Sequence, residues 1–229
     1  MEVMYRERAA RLDGAAVWTS TSSATTKRIL PDGCMDLIWS EAQLLVAGPD
    51  SSAALVATRP GATAVGLRFA PGWAPSLLGL GADELRDRRV PFEALRSTAD
   101  AASWSDRLAA SPRPGRVLEE LAAQLLAEGG PPPPEVAAIV AELRRGARVG
   151  DVADRVGLSD RQLHRRSLQA FGYGAKRLGR ILRLQRALRL ADDGVPAAAA
   201  AARAGFVDQP HLAREVRALT GVTLRALAA

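Results

Sequence analysis

Short apolar segments broken by turn residues occupy the first third of the chain, and helical stripes occupy most of the rest. The extended segments are Ala15–Thr19, Arg28–Leu30, Met35–Trp39, Leu44–Ala47, Ala54–Ala57 and Ala64–Phe69. Between them stand Pro31-Asp32-Gly33, Gly48-Pro49-Asp50 and Arg59-Pro60-Gly61. Such triplets turn the chain because Pro presets φ and Gly accepts positive φ. The spacing predicts a small antiparallel sheet or barrel. From Gly81 the period lengthens: Leu85 sits in an acidic-then-basic segment, and Val117, Leu118, Leu121 and Leu125 form a stripe. Two or three helices are expected after the sheet. The stripe suits either the core of that unit or a dimer seam.

The run Gly129-Gly130-Pro131-Pro132-Pro133-Pro134 is expected to be neither helical nor paired, because consecutive prolines lack amide donors and fix φ. It reads as a semi-rigid linker. Beyond it, Val136, Ile139, Val140 and Leu143 predict one amphipathic helix, and Val149, Val152, Ala153 and Val156 a second. Leu178, Ile181, Leu182, Leu184 and Leu188 mark a long later one. The fold class is α+β with two domains: a β-rich unit with trailing helices over 1–128, a linker over 129–134 and an all-α unit over 135–229.

Charge sharpens this division. Residues 1–134 hold 14 Arg/Lys against 16 Asp/Glu, whereas residues 135–229 hold 17 against 9. The basic character expected of a nucleic-acid binder is therefore concentrated in the helical unit. The lone Cys34 excludes an intramolecular disulfide and a cysteine-rich zinc site, and the N-terminus carries no apolar signal segment, so a reducing cytoplasm is expected. No stretch is long and apolar enough for a membrane helix. The two histidines, His164 and His211, lack carboxylate or cysteine neighbours at metal-ligand spacing, so no metal is expected. Neither a nucleophile elbow, a phosphate-binding Gly-Lys-Ser/Thr, nor a catalytic carboxylate pair occurs, so no catalytic residue and no cofactor is assigned.

Two segments carry the function. In the first, a helix from Val149 stops at Gly157, which suits the left-handed conformation, and Ser159 caps a second helix that begins with Asp160. That second helix presents Arg161, Gln162, His164, Arg165 and Arg166 outward and Leu163 inward, and these outward types reach base edges and phosphates. In the second segment an Ala-rich helix after Pro196 stops at Gly205. Asp208, itself a candidate DNA contact, then caps a helix that tolerates Pro210 in its first turn and offers Gln209, His211, Arg214 and Arg217. Each segment is a helix-turn-helix.

These residues resemble the AraC/XylS family over roughly 135–225. The most specific matches are Ala153 with Gly157-Leu158-Ser159, then Arg161, Leu163 and Arg165, then Gly172-Tyr173-Gly174. Arg183 to Ala187 follow, and then Ala204-Gly205-Phe206 with Asp208, Gln209, His211 and Leu212. The resemblance implies two helix-turn-helix units joined by a long helix, here about Ala175 to Ala191. It implies recognition helices about one duplex turn, ~34 Å, apart in successive major grooves. Arg177, Arg180 and Arg183 are then candidate phosphate contacts. Where the family carries an aromatic residue stands Ser167, and where it carries Pro stand Ala175 and Leu224; Leu168 or Phe171 is expected to fill the space of the missing aromatic. The N-terminal part resembles DUF6597-type domains over about 1–95, through Tyr5-Arg6-Glu7, the segment Leu30 to Ile38, and Gly66 to Gly72. That resemblance implies a regulatory domain with a compact β fold.

For an effector pocket the candidates are Asp32, Asp36 and Arg68, with apolar walls from Trp39, Phe69 and Trp73. The bland alternative is turn chemistry at Asp32 and ordinary core aromatics. Together these readings describe a transcriptional regulator whose partners are double-stranded DNA and a small-molecule effector. RNA polymerase and a second copy of the chain are further partners to test. Two rivals are a Cys34-dependent stress sensor or repair module fused to a DNA reader, and an adaptor that has lost DNA binding.

Overall fold

A computed structural model describes residues 4–227, and the ends of the expected units, 1–3 and 228–229, lie outside the described residues. Among the described residues there are eight strands, seven of them before the first helix: β1 Met4–Ala9, β2 Ala15–Thr21, β3 Thr26–Ile29, β4 Met35–Ser40, β5 Gln43–Ala47, β6 Ala54–Ala57, β7 Thr63–Phe69 and, later, β8 Arg89–Pro91. Six form one antiparallel sheet in the order β1-β2-β7-β4-β5-β8, and β3 pairs with β6 in a separate ladder. The expected sheet is thus present. Its two edges, β1 and β8, had no signal in the apolar pattern: β1 reads Met-Tyr-Arg-Glu-Arg-Ala with Tyr5 to Ala9 exposed, and β8 has only three residues. Pairing with β2 and β5, respectively, makes them strands.

Successive residues of a strand face opposite sides, so each strand splits its duties. Met35 and Leu37 of β4, with Leu67 and Phe69 of β7, enter one core beneath the helices α1 (Ala74–Leu78), α2 (Ala82–Leu85), α3 (Thr98–Ala110) and α4 (Pro114–Gly129). Asp36, Ile38 and Arg68 face the other side, where the β3–β6 ladder forms a roof. The Val117, Leu118, Leu121 and Leu125 stripe lies on α4 inside this first core, at most 7% exposed, which removes the dimer-seam reading of those side chains.

The proline run is shorter as an irregular segment than its composition suggests. Gly129 still belongs to α4, and Pro134 opens α5 (Pro134–Arg145). A first-turn proline lacks only an amide that would have no helical partner. Next come α6 (Val149–Arg155), α7 (Asp160–Phe171), α8 (Ala175–Asp192), α9 (Ala197–Ala204), α10 (Gln209–Thr220) and the short α11 (Leu224–Leu227). Ile139, Leu163, Leu178, Ile181, Leu184, Leu212 and Leu219 build a second core with α8 at its centre. Among the described residues no helix is long and apolar enough to cross a membrane.

Candidate nucleic-acid interface and N-terminal cavity

The first helix-turn-helix is set by its punctuation. Gly157 takes φ +66°, and Ser159 caps α7 by accepting from the Gln162 amide at 3.3 Å. The Gln162 side-chain oxygen in turn accepts from the Ser159 amide at 2.9 Å, completing a capping box. The oxygen of Gln162, a side chain expected to face DNA, is thus engaged in starting the helix. Arg161, His164 and Arg165 are exposed and donate no side-chain hydrogen bond among the described residues. They form one outward face with Lys176, which the helical pattern had not singled out; it stands with His164, Arg177 and Arg180 around a groove between α7 and α8.

In the second unit Gly205 takes φ +85°, and the Asp208 carboxylate caps α10 by accepting from the His211 amide at 2.6 Å. Asp208 is thus a cap, with its acceptor turned to its own backbone. His211 is half-buried: its ring packs edge-on to Phe206 at 5.3 Å, and its Nδ1 accepts from the Val207 amide at 3.4 Å. Gln209 and Arg214 are exposed. Val207, in the turn, is 86% exposed.

The arginines of α8 are placed differently from the expectation of free phosphate contacts. Arg180 donates from Nε and Nη2 to the buried Glu215 of α10, at 2.6 and 3.2 Å, and so ties the two helices together. Arg183 lies over the Phe206 ring, 4.6 Å from its centroid. Arg177 donates from Nε and Nη2 to the carbonyl of Ser51, in the N-terminal half, at 3.0 and 2.6 Å. Ser167 is fully buried, and its hydroxyl has no partner among the described residues. Leu224 packs against the second core.

Between the sheet and the β3–β6 roof lies a cavity of about 270 Å³. Asp32, Asp36 and Arg68 line it, together with Tyr5, Trp18 and Lys27. Arg68 is the cross-strand partner of Asp36, and its Nε lies 3.4 Å from a carboxylate oxygen of both Asp32 and Asp36. The Trp18 indole donates to Asp36 at 2.6 Å. Gly66, opposite Trp18 in the ladder, provides the room: a Cβ there would come within 2.2 Å of the indole. Burial pushes the Asp36 carboxyl up to about 6, against the opposing pull of Arg68. Lys27 donates to Ser20 at 2.8 Å and sits 5.9 Å over the Tyr5 ring; burial and then Arg68 lower its pKa.

Trp39, Phe69 and Trp73 do not line this cavity. Phe69 is in the first core, and Trp39 and Trp73 pack against it. The parity of the strands is the reason: Trp39 lies three positions from Asp36, and Phe69 one from Arg68, so each falls on the opposite face. Trp18, Tyr5 and Lys27 supply the walls instead. Burial, followed by Asp32 and Asp36, raises the Cys34 thiol well above its ordinary value, opposite to what a reactive thiolate needs.

Two capped helix-turn-helix units hung on one long helix, behind a sheet that encloses a cavity, define a DNA-binding regulator with a separate N-terminal module. Residues 152–229 match a family described as "Helix-turn-helix domain", and residues 15–91 match "Domain of unknown function (DUF6597)". The chain carries an AraC-type helix-turn-helix domain behind a DUF6597 domain. No curated protein matches it in sequence. Among solved structures it is similar to an apo lysine-to-alanine variant of ToxT from Vibrio cholerae, with a TM-score of 0.52 and 10% identity over 96% of this chain and 98% of that one. A second ToxT structure from Vibrio cholerae matches at a TM-score of 0.51 and 12% identity, over 93% and 95%. At these identities the likeness is one of fold.

Proposed function

We propose that the chain is a sequence-specific transcriptional regulator in which residues 135–229 read duplex DNA and residues 1–128, joined through the 129–134 segment, take a small-molecule effector in the cavity beneath β3 and β6. The observation that carries the reading is the pair of exposed recognition faces, Arg161, His164 and Arg165 on α7 and Gln209 and Arg214 on α10, each on a helix whose start is fixed by its own cap. In such units exposed Arg and Gln side chains read base edges, while neighbouring cations such as Lys176 neutralise phosphates. An effector acts by differential affinity for two arrangements of the halves.

The test is selection of purified full-length protein on random duplexes at two salt concentrations, followed by sequencing of the retained DNA. Enrichment of two blocks about ten base pairs apart is the expected result. Retention that is sequence-blind at both salts overturns the reading.

A further inference from the structure

The cavity walls run without interruption into the surface that grips the DNA-binding half. Asp32 and Cys34 line the cavity, and Gly33 between them packs so closely on α8 that a Cβ there would lie 2.9 Å from Leu178. Pro31, beside them, accepts at its carbonyl from Gln185 of α8 at 2.8 Å. Asp50, another wall residue, precedes Ser51, whose carbonyl receives Arg177. Ala53 then donates to the Leu219 carbonyl at 2.7 Å, and Arg28 of β3 donates to the Thr220 carbonyl at 2.8 Å.

Ser51 is itself held firmly. Both carboxylate oxygens of Asp87 accept from it, one from the amide at 2.6 Å and one from the hydroxyl at 2.9 Å. Asp87 adopts φ +59°, a left-handed conformation that a non-glycine residue takes at an energetic cost. A strained residue thus presents one backbone carbonyl to one arginine. On the other side, Arg177 belongs to the basic groove shared by His164 and Lys176 beside the first recognition helix. A guanidinium whose Nε and Nη2 both point at Ser51 cannot turn that same edge to a phosphate. The Tyr173 hydroxyl, within electrostatic reach of Asp32, Cys34 and Asp50, is buried and has no hydrogen-bond partner among the described residues, which is a cost to the docked state.

We propose that the Asp87–Ser51–Arg177 chain is an autoinhibitory clamp: the sensor half withholds a phosphate-binding arginine from DNA, and a shift of the cavity wall at Asp50 releases it. The clamp rests on the DNA-reading role proposed above. Asp87 is a positioning residue here and acts only through Ser51.

The experiment is a salt titration of binding to a random-sequence duplex by the full chain, in wild type, Asp87→Gly and Asp87→Asn, each with and without Arg177→Gln. Glycine removes both bonds to Ser51 and suits the left-handed backbone, whereas asparagine keeps an acceptor for the amide. Asp87→Gly is expected to bind severalfold more tightly, with a slope of log affinity against log salt steeper by about 0.9, the signature of one added phosphate contact. Asp87→Asn, which keeps the amide bond and loses only the hydroxyl one, is expected to fall between wild type and Asp87→Gly, and the steepening is expected to vanish with Arg177→Gln. An unchanged slope in Asp87→Gly, or a steepening that survives Arg177→Gln, overturns the clamp. If Asp87→Gly fails to fold, Ser51→Ala, which removes the hydroxyl bond alone, is read against the same two outcomes with a smaller expected change. Wild-type protein with no salt-sensitive affinity would instead overturn the DNA-reading role, and all the variants would then be flat alike.

Discussion

Asp36 and Arg161 show how differently the two halves use charge. In the N-terminal half Asp36, Arg68, Asp50 and Arg89 are turned into the space between sheet and roof, with Arg89 donating to both oxygens of Asp50 at 2.5 Å. In the helical half Arg161, Arg165 and Arg214 stand in solvent. Inward charge costs desolvation, must be paired, and responds to pH. Outward charge is cheap to keep and responds to salt. The contrast separates a half whose charges are paired inside a cavity from a half whose charges are open to a polyanion.

Among the described residues the helical half has one buried charged side chain, and breaking its pairing should give the largest effect. Glu215 is 8% exposed, and both of its oxygens accept from Arg180. Arg180→Ala leaves a buried carboxylate unpaired and is expected to destabilise the helical half by roughly 3 kcal/mol in urea unfolding. Adding Glu215→Gln should restore a large part of that loss. An Arg180→Ala protein as stable as wild type would show the pair to be a surface contact and would soften the contrast.

Next in size is the pH response of the N-terminal half. Asp36 titrates near 6 when folded, against an ordinary 3.8. The folded state therefore holds the proton more tightly, so this group's contribution to stability falls as pH rises from about 4 to about 6 and stays low above that. Measured as the difference between wild type and Asp36→Asn, the change across this window is expected to reach about 3 kcal/mol at most. A difference independent of pH would mean that Asp36 is not held in a dry site.

On the outward side, Arg165→Ala is expected to weaken binding roughly tenfold or more and to erase the first block of the selected site. His211→Ala should disturb the second block less than Arg214→Ala does, because the His211 ring is already engaged with Phe206 and the Val207 amide. Equal losses would restore His211 to the reading face.

Much of this was readable from the chain because apolar alternation and turn residues marked β2 to β7, and Gly157, Ser159, Gly205 and Asp208 marked both helix-turn-helix units. The charged edge strands β1 and β8 gave no such pattern. Strand parity alone would have separated Asp36 from Trp39 and Arg68 from Phe69. The contribution of Trp18 could not be read the same way, since it depends on β7 lying between β2 and β4 and on a glycine opposite the indole. The fate of Arg177 was less legible still: its partner is 126 positions away and is a backbone carbonyl, which no side-chain pattern marks.

The smallest expected effect tests the underside of the first recognition helix. Ser159→Ala removes the cap of α7 and should cost about 1 kcal/mol. Ser167→Ala, eight positions further on, should cost nothing or stabilise the helical half by up to about 1 kcal/mol, because the hydroxyl it deletes is buried without a partner. The two substitutions delete the same atom type from the same helix, once where it accepts a backbone amide and once where it meets none. Opposite signs in urea unfolding would show that polar groups in this half are useful at helix starts and on the outer face, and costly beneath it. A clear loss with Ser167→Ala would mean that its hydroxyl is satisfied by a bound water, and that the inward-outward division of charge and polarity between the two halves is less sharp than their ion pairs suggest.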